Sequence, residues 1–378
     1  MTEVDPTTSE AAQAAASFQL AAQAVQRGDG AALRAHLEDA ARAGHAGAAR
    51  RRTAIALHEG GLAAARAFLA GLSASSGAAA ALFLEGELAR FHDAADPDLP
   101  RATAWALPLA RAALAGHPMA RWIVDLHRIW SPGAAVPFLP APGSPETVLP
   151  ADDAAVRTLA GALIEAEAQW APPVAEVLVE RDGVRVERVR AFAPEPLVQG
   201  VRALLAPHLQ AAMVVDPRTG ARRRHPVRDN AQAQWLPELR GWLGKLLDAR
   251  LAQAGAYAVV CGEVTNLLRY GPGEAYRPHL DCLPPARTGV DAGTRDEGGQ
   301  RMLTQLLGLG DDDYTGGETR FTELDLAVRL HAGDLLTFTN ADARGMPLPA
   351  SRHEGCALET GEKWLLSKWV RARPTPYG

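Results

Sequence analysis

The segment Val177-Leu178-Val179-Glu180-Arg181-Asp182-Gly183-Val184-Arg185-Val186-Glu187 sets two alternating, Val-rich runs on either side of an Asp-Gly pair. Asp-Gly tolerates the positive φ angles of a two-residue hairpin turn, and a period of two gives each run one buried and one wet face. A β-hairpin is predicted here. Downstream, short apolar runs separated by Gly, Pro and Asp turns recur at 263–268, 302–309, 327–330, 335–339 and 364–369. Many short strands with regular turn signals predict a closed antiparallel barrel or jelly roll. Two helical stretches, 194–210 and 236–254, interrupt the series.

Upstream of the hairpin the pattern is different. Residues 9–130 are rich in Ala, Leu and Arg and nearly free of strand-like alternation, which favours helix. Breaks fall at Arg27-Gly28-Asp29-Gly30, Gly60-Gly61, Ser73-Ala74-Ser75-Ser76-Gly77 and Asp96-Pro97-Asp98-Leu99-Pro100, so a series of short helices is expected. Ala43-Gly44-His45-Ala46-Gly47-Ala48 recurs as Ala115-Gly116-His117-Pro118-Met119-Ala120, with a degraded middle copy near Ser76-Gly77-Ala78. The spacing is twice a period of roughly 36 residues, which suits helical-pair repeats. The region resembles Sel1-like and tetratricopeptide repeats, whose concave faces dock protein or peptide.

A Pro/Gly-rich stretch at 131–150 reads as a linker, and a helix over 152–170, capped by Asp152 or Asp153 and stopped by Pro172-Pro173, follows it. The expected organisation is α+β. It comprises an all-α helical-repeat domain at 1–130, the linker, and a second domain at 151–378 with its jelly-roll core near 175–373.

Composition narrows the function. With 47% hydrophobic and 22% charged residues the chain should fold as an ordinary globular protein. A net charge of -5 gives no reason to expect nucleic acid or an acidic membrane as partner. The basic run Arg222-Arg223-Arg224-His225 is expected in a solvated loop. Three widely spaced cysteines, Cys261, Cys282 and Cys356, do not form a disulfide framework, and the acidic N-terminus is unlike a secretory signal. No stretch reaches the roughly 20 apolar residues of a membrane span. A reduced, cytoplasmic setting is expected.

The chemistry lies in Tyr276-Arg277-Pro278-His279-Leu280-Asp281. On a strand, residues two apart share a face, so the His279 imidazole and the Asp281 carboxylate project into one space. His353, in Ser351-Arg352-His353-Glu354-Gly355, is placed on a late strand of the same barrel. Two histidines and one carboxylate on one face of a metal leave adjacent positions open, the arrangement that suits iron(II). Lys363, in Gly361-Glu362-Lys363-Trp364, brings a cation to a neighbouring strand, where burial demands a counter-charge. The distal carboxylate of 2-oxoglutarate would supply it. Asp311-Asp312-Asp313 lacks EF-hand spacing and reads as a turn, Cys282 should face away from the ligands, and Trp364 and Trp369 are expected in the core.

These motifs occur in one order: Tyr270-Gly271-Pro272-Gly273-Glu274-Ala275-Tyr276-Arg277-Pro278-His279-Leu280-Asp281, Arg301 with Thr304, Gly316-Gly317-Glu318-Thr319-Arg320-Phe321, His353-Glu354-Gly355-Cys356, and Gly361-Glu362-Lys363-Trp364 through Lys368-Trp369. Together they resemble the prolyl 4-hydroxylase group of 2-oxoglutarate oxygenases, whose fold is a double-stranded β-helix. The resemblance implies His279, Asp281 and His353 as iron(II) ligands. It implies Lys363 at the distal carboxylate of 2-oxoglutarate, with Tyr270 and Thr304 in that pocket and the Gly316-Gly317-Glu318-Thr319 loop at the barrel mouth. Arg228, Arg301 and Glu318 are the implied substrate contacts. Dioxygen is the implied oxidant and ascorbate a stimulant. Retention of Asp281, where related halogenases carry a small residue, favours hydroxylation.

The chain departs from the family at Gly308-Leu309-Gly310, where Tyr-Leu-Asn is usual, and at Arg228-Asp229-Asn230, which keeps only the arginine of Arg-Thr-Ser. The first reading is hydroxylation of a prolyl residue in a protein or peptide, with the helical domain recruiting it. A free amino acid or natural-product intermediate is the second, and an inactive scaffold of oxygenase fold the third.

Overall fold

The computed structural model describes all residues except 1–5, 92–103, 132, 140–152, 171–172, 213, 216–221, 224–229, 236, 284–297, 311–312 and 376–378. Two compact units meet at 170/171, Met1–Trp170 and Ala171–Gly378. The first contains α1 (Pro6–Gln26), α2 (Gly30–Arg42), α3 (Ala46–Ala70), α4 (Ala78–Phe91), α5 (Ala106–Leu114), α6 (Pro118–Trp130) and α7 (Asp153–Ala168). Its core is largely alanine, with Ala40, Ala41, Ala48, Ala49 and Ala65 buried beside Leu37, Leu69 and Leu72. The Gly60-Gly61 break is a kink inside α3.

The two echoed segments form the same joint. After α2, Gly44 at φ 90° bonds Ala41 O and the His45 N–H bonds Ala40 O; after α5, Gly116 at φ 85° bonds Ala113 O and His117 bonds Ala112 O. A left-handed glycine thus satisfies the last carbonyls of each helix. His45 and His117 then cap α3 and α6 through Nδ1, which accepts from Ala48 N and Ala120 N. Phe18 stacks on His45 at 4.1 Å and Phe83 on His117 at 4.5 Å.

The expected boundary at 131–150 needs correction. Ser131 Oγ donates to Ala166 O at 2.6 Å, Trp130 meets Trp170 edge to face at 5.1 Å, and Arg90 pairs with Glu167. Helix α7 therefore belongs with the first unit. Its buried stripe, Val156, Leu159, Ala160, Leu163 and Ala166, was legible as a stripe, but periodicity shows that a helix packs and not what it packs on.

His127 is buried in the same region, between Trp105 at 5.8 Å and Trp170 at 5.0 Å. Its Nδ1 donates to Ile123 O, and burial pushes its pKa from 6.5 to about 4. The unfolded chain therefore binds the proton first, so this contribution is complete above pH 6.5 and is lost as the pH falls through 4. At about 1.36 kcal/mol per pKa unit, His127 is expected to cost the helical unit about 3 kcal/mol between pH 7 and 4. Thermal unfolding against pH checks this, and His127→Phe should flatten the slope.

The second unit runs β1 (Glu176–Arg181), β2 (Val184–Val189), α8 (Glu195–Leu205), β3 (Gln210–Ala211), β4 (Val214–Val215), β5 (Arg222–Arg223), β6 (Ala231–Gln234), α9 (Pro237–Gly255), β7 (Asn266–Tyr270) and β8 (Tyr276–His279). It continues with β9 (Arg301–Gly308), β10 (Thr315–Gly316), β11 (Thr319–Phe321), β12 (Leu326–Val328), β13 (Leu335–Thr339), β14 (His353–Gly355), β15 (Leu358–Thr360) and β16 (Lys363–Arg371). The Asp182-Gly183 turn has φ 54° and 79°, as the hairpin signal requires. Arg222 and Arg223, expected in a loop, pair with Val215 and Val214 instead; Arg224 and His225 lie outside the described residues.

One antiparallel sheet has the order β1-β2-β13-β9-β16-β7-β6-β3 and a second the order β12-β11-β14-β8. Phe321 of the second meets Phe338 of the first at 5.0 Å, within a shared core that includes Val184, Val186, Leu336 and Leu365. Two sheets closed face to face make the jelly roll. Helix α9 is tied to the large sheet by a buried ion pair, Lys368 Nζ to Asp248 Oδ1 at 2.6 Å, with Glu263 O and Thr265 Oγ1 also accepting from Nζ. Asp248→Ala strands a buried cation and is expected to destabilise this unit by about 3–5 kcal/mol in denaturant unfolding.

Candidate metal centre

Strand β8 ends on His279, β14 begins on His353, and their register sets the two histidines opposite each other with ring centroids 4.5 Å apart. Two residues beyond His279, the buried Asp281 turns its carboxylate between them. Oδ1 lies 3.5 Å from His279 Nε2 and Oδ2 3.6 Å from His353 Nε2. Neighbouring ligands about 2.1 Å from a metal stand about 3 Å apart, so each histidine stands about half an ångström too far from the carboxylate, and the three donor atoms all lie within 4.8 Å of one another.

The protonation state suits a metal. His279 Nδ1 lies 2.8 Å from Arg277 O and His353 Nδ1 3.0 Å from Ser351 O. A carbonyl only accepts, so Nδ1 carries a hydrogen on both rings, and Nε2 is the atom each ring turns toward Asp281. Burial pushes His353 down to about 4, against the pull of Asp281, and so keeps it neutral. For Asp281 burial acts upward, but His353, His279 and the Thr304 hydroxyl hold its carboxyl well below the ordinary carboxylate range. Two imidazoles and one carboxylate gathered on one side fit iron(II) with open positions opposite. Among the described residues this is the one cluster of its kind.

The triad faces a cavity of about 420 Å³, mouth included. Lys363, Leu365, Ser367 and Trp369 line it from alternate positions of β16. Lys363 stands opposite Tyr270 of β7, with Nζ 5.5 Å from the ring centroid and donating to Gly317 O. Burial lowers its pKa to about 8, partly offset by Cys356 and Glu318. Among the described residues no carboxylate reaches Lys363 within ion-pair distance. A buried ammonium without a counter-ion is a receptor for an anion.

Residues 265–371, which hold the triad and Lys363, match the model of the 2OG-Fe(II) oxygenase superfamily. That stretch of the C-terminal unit is thus similar to a 2OG-Fe(II) oxygenase domain. Over 189 residues the chain is 30% identical to prolyl 4-hydroxylase 1 of Arabidopsis thaliana, covering 46% of this chain and 64% of that one. Over 195 residues it is 29% identical to prolyl 4-hydroxylase subunit alpha-1 of Rattus norvegicus, covering 51% of this chain and 36% of that one. Less than two thirds of either relative is therefore spanned. The solved viral collagen prolyl hydroxylase of Paramecium Bursaria Chlorella virus-1, in its 2OG complex, aligns at 20% identity and a TM-score of 0.37, over 50% of this chain and 96% of its own.

Several residues of the C-terminal unit stand elsewhere than expected. Thr304 is absent from the cavity wall, because its Oγ1 donates to Asp281 Oδ2 at 2.6 Å. Arg301 is not free for substrate. Its Nε and Nη2 hold the Glu263 carboxylate at 2.7 and 2.8 Å, its Nη1 reaches Asp281 O at 3.4 Å, and the guanidinium lies 3.7 Å from the Trp369 ring centroid. Such a bidentate pair uses the guanidinium fork for structure. Glu318 is half-buried beside Lys363 but off the cavity wall. The glycine-rich loop lies at Lys363, with Thr319 in the cavity wall. Arg228 lies outside the described residues. Cys282 faces away from the triad, its Sγ donating to Asn340 O at 3.0 Å, and Asp313 is exposed, with Asp311 and Asp312 outside the described residues.

The two tryptophans expected in the core part company, and Trp364 is buried as expected. Trp369, expected in the core, lines the cavity, and its even spacing from Lys363 was the available signal. Trp364 faces away, its Nε1 donating to Glu362 Oε2. Tyr276 lines the cavity and stacks on His279 at 3.6 Å. Gly308 is off the cavity wall as well: a Cβ there would meet His331 O at 2.2 Å, so this departure answers backbone packing.

Proposed function

We propose that the protein hydroxylates a prolyl residue in a protein or peptide, consuming 2-oxoglutarate and dioxygen and releasing succinate and carbon dioxide. The observation that carries this is a His, His, carboxylate triad sharing one cavity with a buried lysine that has no carboxylate partner among the described residues. His279, His353 and Asp281 would hold iron(II), which when bound supplies the activation of dioxygen. Asp281 is already ionised and burial keeps His353 neutral, so neither has to give up a proton when the ion binds. Lys363, beside Tyr270, takes the distal carboxylate of 2-oxoglutarate and fixes that end of the molecule. Leu268, Leu306 and Leu365 exclude water from the reacting space, and Tyr276 braces His279. Trp369 and Tyr276 are the aromatic surfaces available to a substrate ring.

Prolyl specificity is supported by the 30% identity with a prolyl 4-hydroxylase. The alternative of a small-molecule substrate rested on Gly308 and Gly310, and neither lines the cavity. The helical unit is assigned substrate recruitment, and its duplicated His-capped joint supports a repeat architecture. A cytoplasmic setting fits three free cysteines and the absence, among the described residues, of a helix long and apolar enough to cross a membrane.

The test incubates the protein with iron(II), 2-oxoglutarate and a Pro-containing peptide library. Expected is a mass gain of one oxygen on proline, stoichiometric with succinate. Turnover with free amino acids but none across the library would reject the prolyl assignment. Deletion of residues 1–170 should lower turnover of protein substrates more than that of short peptides.

A further inference from the structure

We propose that Thr304 and Asn340 form a relay that restricts Asp281 to binding the metal through a single oxygen. The inference rests on the reading of the triad as an iron(II) centre. Thr304, on β9, is 1% exposed, and its Oγ1 donates to Asp281 Oδ2 at 2.6 Å. Asn340, just past β13, is fully buried, and its Nδ2 donates to Thr304 Oγ1 at 2.8 Å. A hydroxyl has one hydrogen. Because the Asn340 amide donates to the oxygen, the Thr304 hydrogen is directed at the carboxylate, and Oδ1 is left for the metal.

The main chain holds the relay in register. Asn340 N donates to Met302 O, while Asn340 O accepts from Leu348 N and from the thiol of Cys282, next to the ligand. Arg301, gripped by Glu263, reaches Asp281 O from the other side. The Asp281 backbone and one of its oxygens are thus both held from β9, with Asn340 behind Thr304.

Coordination arithmetic gives this a purpose. With both oxygens bound, Asp281 and two imidazoles take four of six positions and leave two; with one oxygen bound they leave three. A chelating 2-oxoacid needs two and dioxygen one. The relay therefore keeps the third position open, and Thr304 and Asn340 are positioning residues that touch neither substrate nor co-substrate.

Cobalt(II) tests the inference, because its visible absorption reports coordination number and geometry without turnover. In Thr304→Val the band shape should change from wild type, and the Kd for 2-oxoglutarate on the cobalt form should rise about 10–100-fold. Thr304→Ser should restore both. Asn340→Ala keeps the hydroxyl but not its direction, and should give the same spectral change with about a threefold to tenfold rise in that Kd. A purely structural role would lower the apo melting temperature and leave the cobalt spectrum unaltered. A wild-type spectrum in both Thr304→Val and Asn340→Ala, or a change that Ser fails to reverse, overturns the relay. Failure of the wild-type protein to take up cobalt would instead reject the metal centre, and the relay with it.

Discussion

Asp281→Ala is expected to cut succinate release by more than about 100-fold, since loss of an outer-shell partner alone costs about 10–100-fold. The carboxylate is the triad's only anion, and its two oxygens lie 3.5 and 3.6 Å from Nε2 of His279 and His353. The apo fold should survive, because Thr304 keeps its bond to Asn340 when the carboxylate is gone. Succinate release and iron(II) binding on the same preparation, with an apo melting curve as control, check this. Unchanged succinate release would mean that the three side chains hold no catalytic metal.

Lys363→Met is expected to act in opposite directions on binding and on stability. Removing one member of a buried charge pair costs about 2 kcal/mol or more, so the KM for 2-oxoglutarate should rise at least about 30-fold. In the free protein the ammonium has no carboxylate partner among the described residues, and burial depresses its pKa from 10.5 to about 8. The unfolded chain therefore holds this proton more tightly than the folded one. The cost to stability is complete below about pH 8 and fades as the pH rises toward 10.5. At pH 7 the apo form of the Lys363→Met variant should melt higher than the wild type, and the wild type should gain on the variant between pH 8 and 10.5. A variant with unchanged KM would show that the co-substrate is anchored elsewhere.

Much of the strand framework was legible because hairpins and strands announce themselves locally. The Asp182-Gly183 turn lies where alternation put it, and the 335–339 strand where a short apolar run between turns did. His279 and Asp281 come together as period two suggested, although β8 ends at His279, and His353 stands in the fourth motif of the series. What failed was assignment of inward polar residues to partners. Thr304 and Arg301 both point to the site, yet one bonds a ligand carboxylate and the other Glu263. Burial was readable there, but hydrogen-bond choice depends on angstrom-scale distances between strands. Helix α7 failed for a related reason: an amphipathic stripe does not name its partner.

The amino-acid order by itself determined the switch from helical to β periodicity, the echoed glycine joints and the residue types that could hold a metal and an anion. These are short-range properties, set by φ preferences and side-chain alternation. Tertiary structure alone decided that His353 lies opposite His279, that Lys363 is buried with no carboxylate partner among the described residues, and that Asn340 bonds the Thr304 hydroxyl. Each depends on strand register and closure of the two sheets, and none is encoded in any one segment.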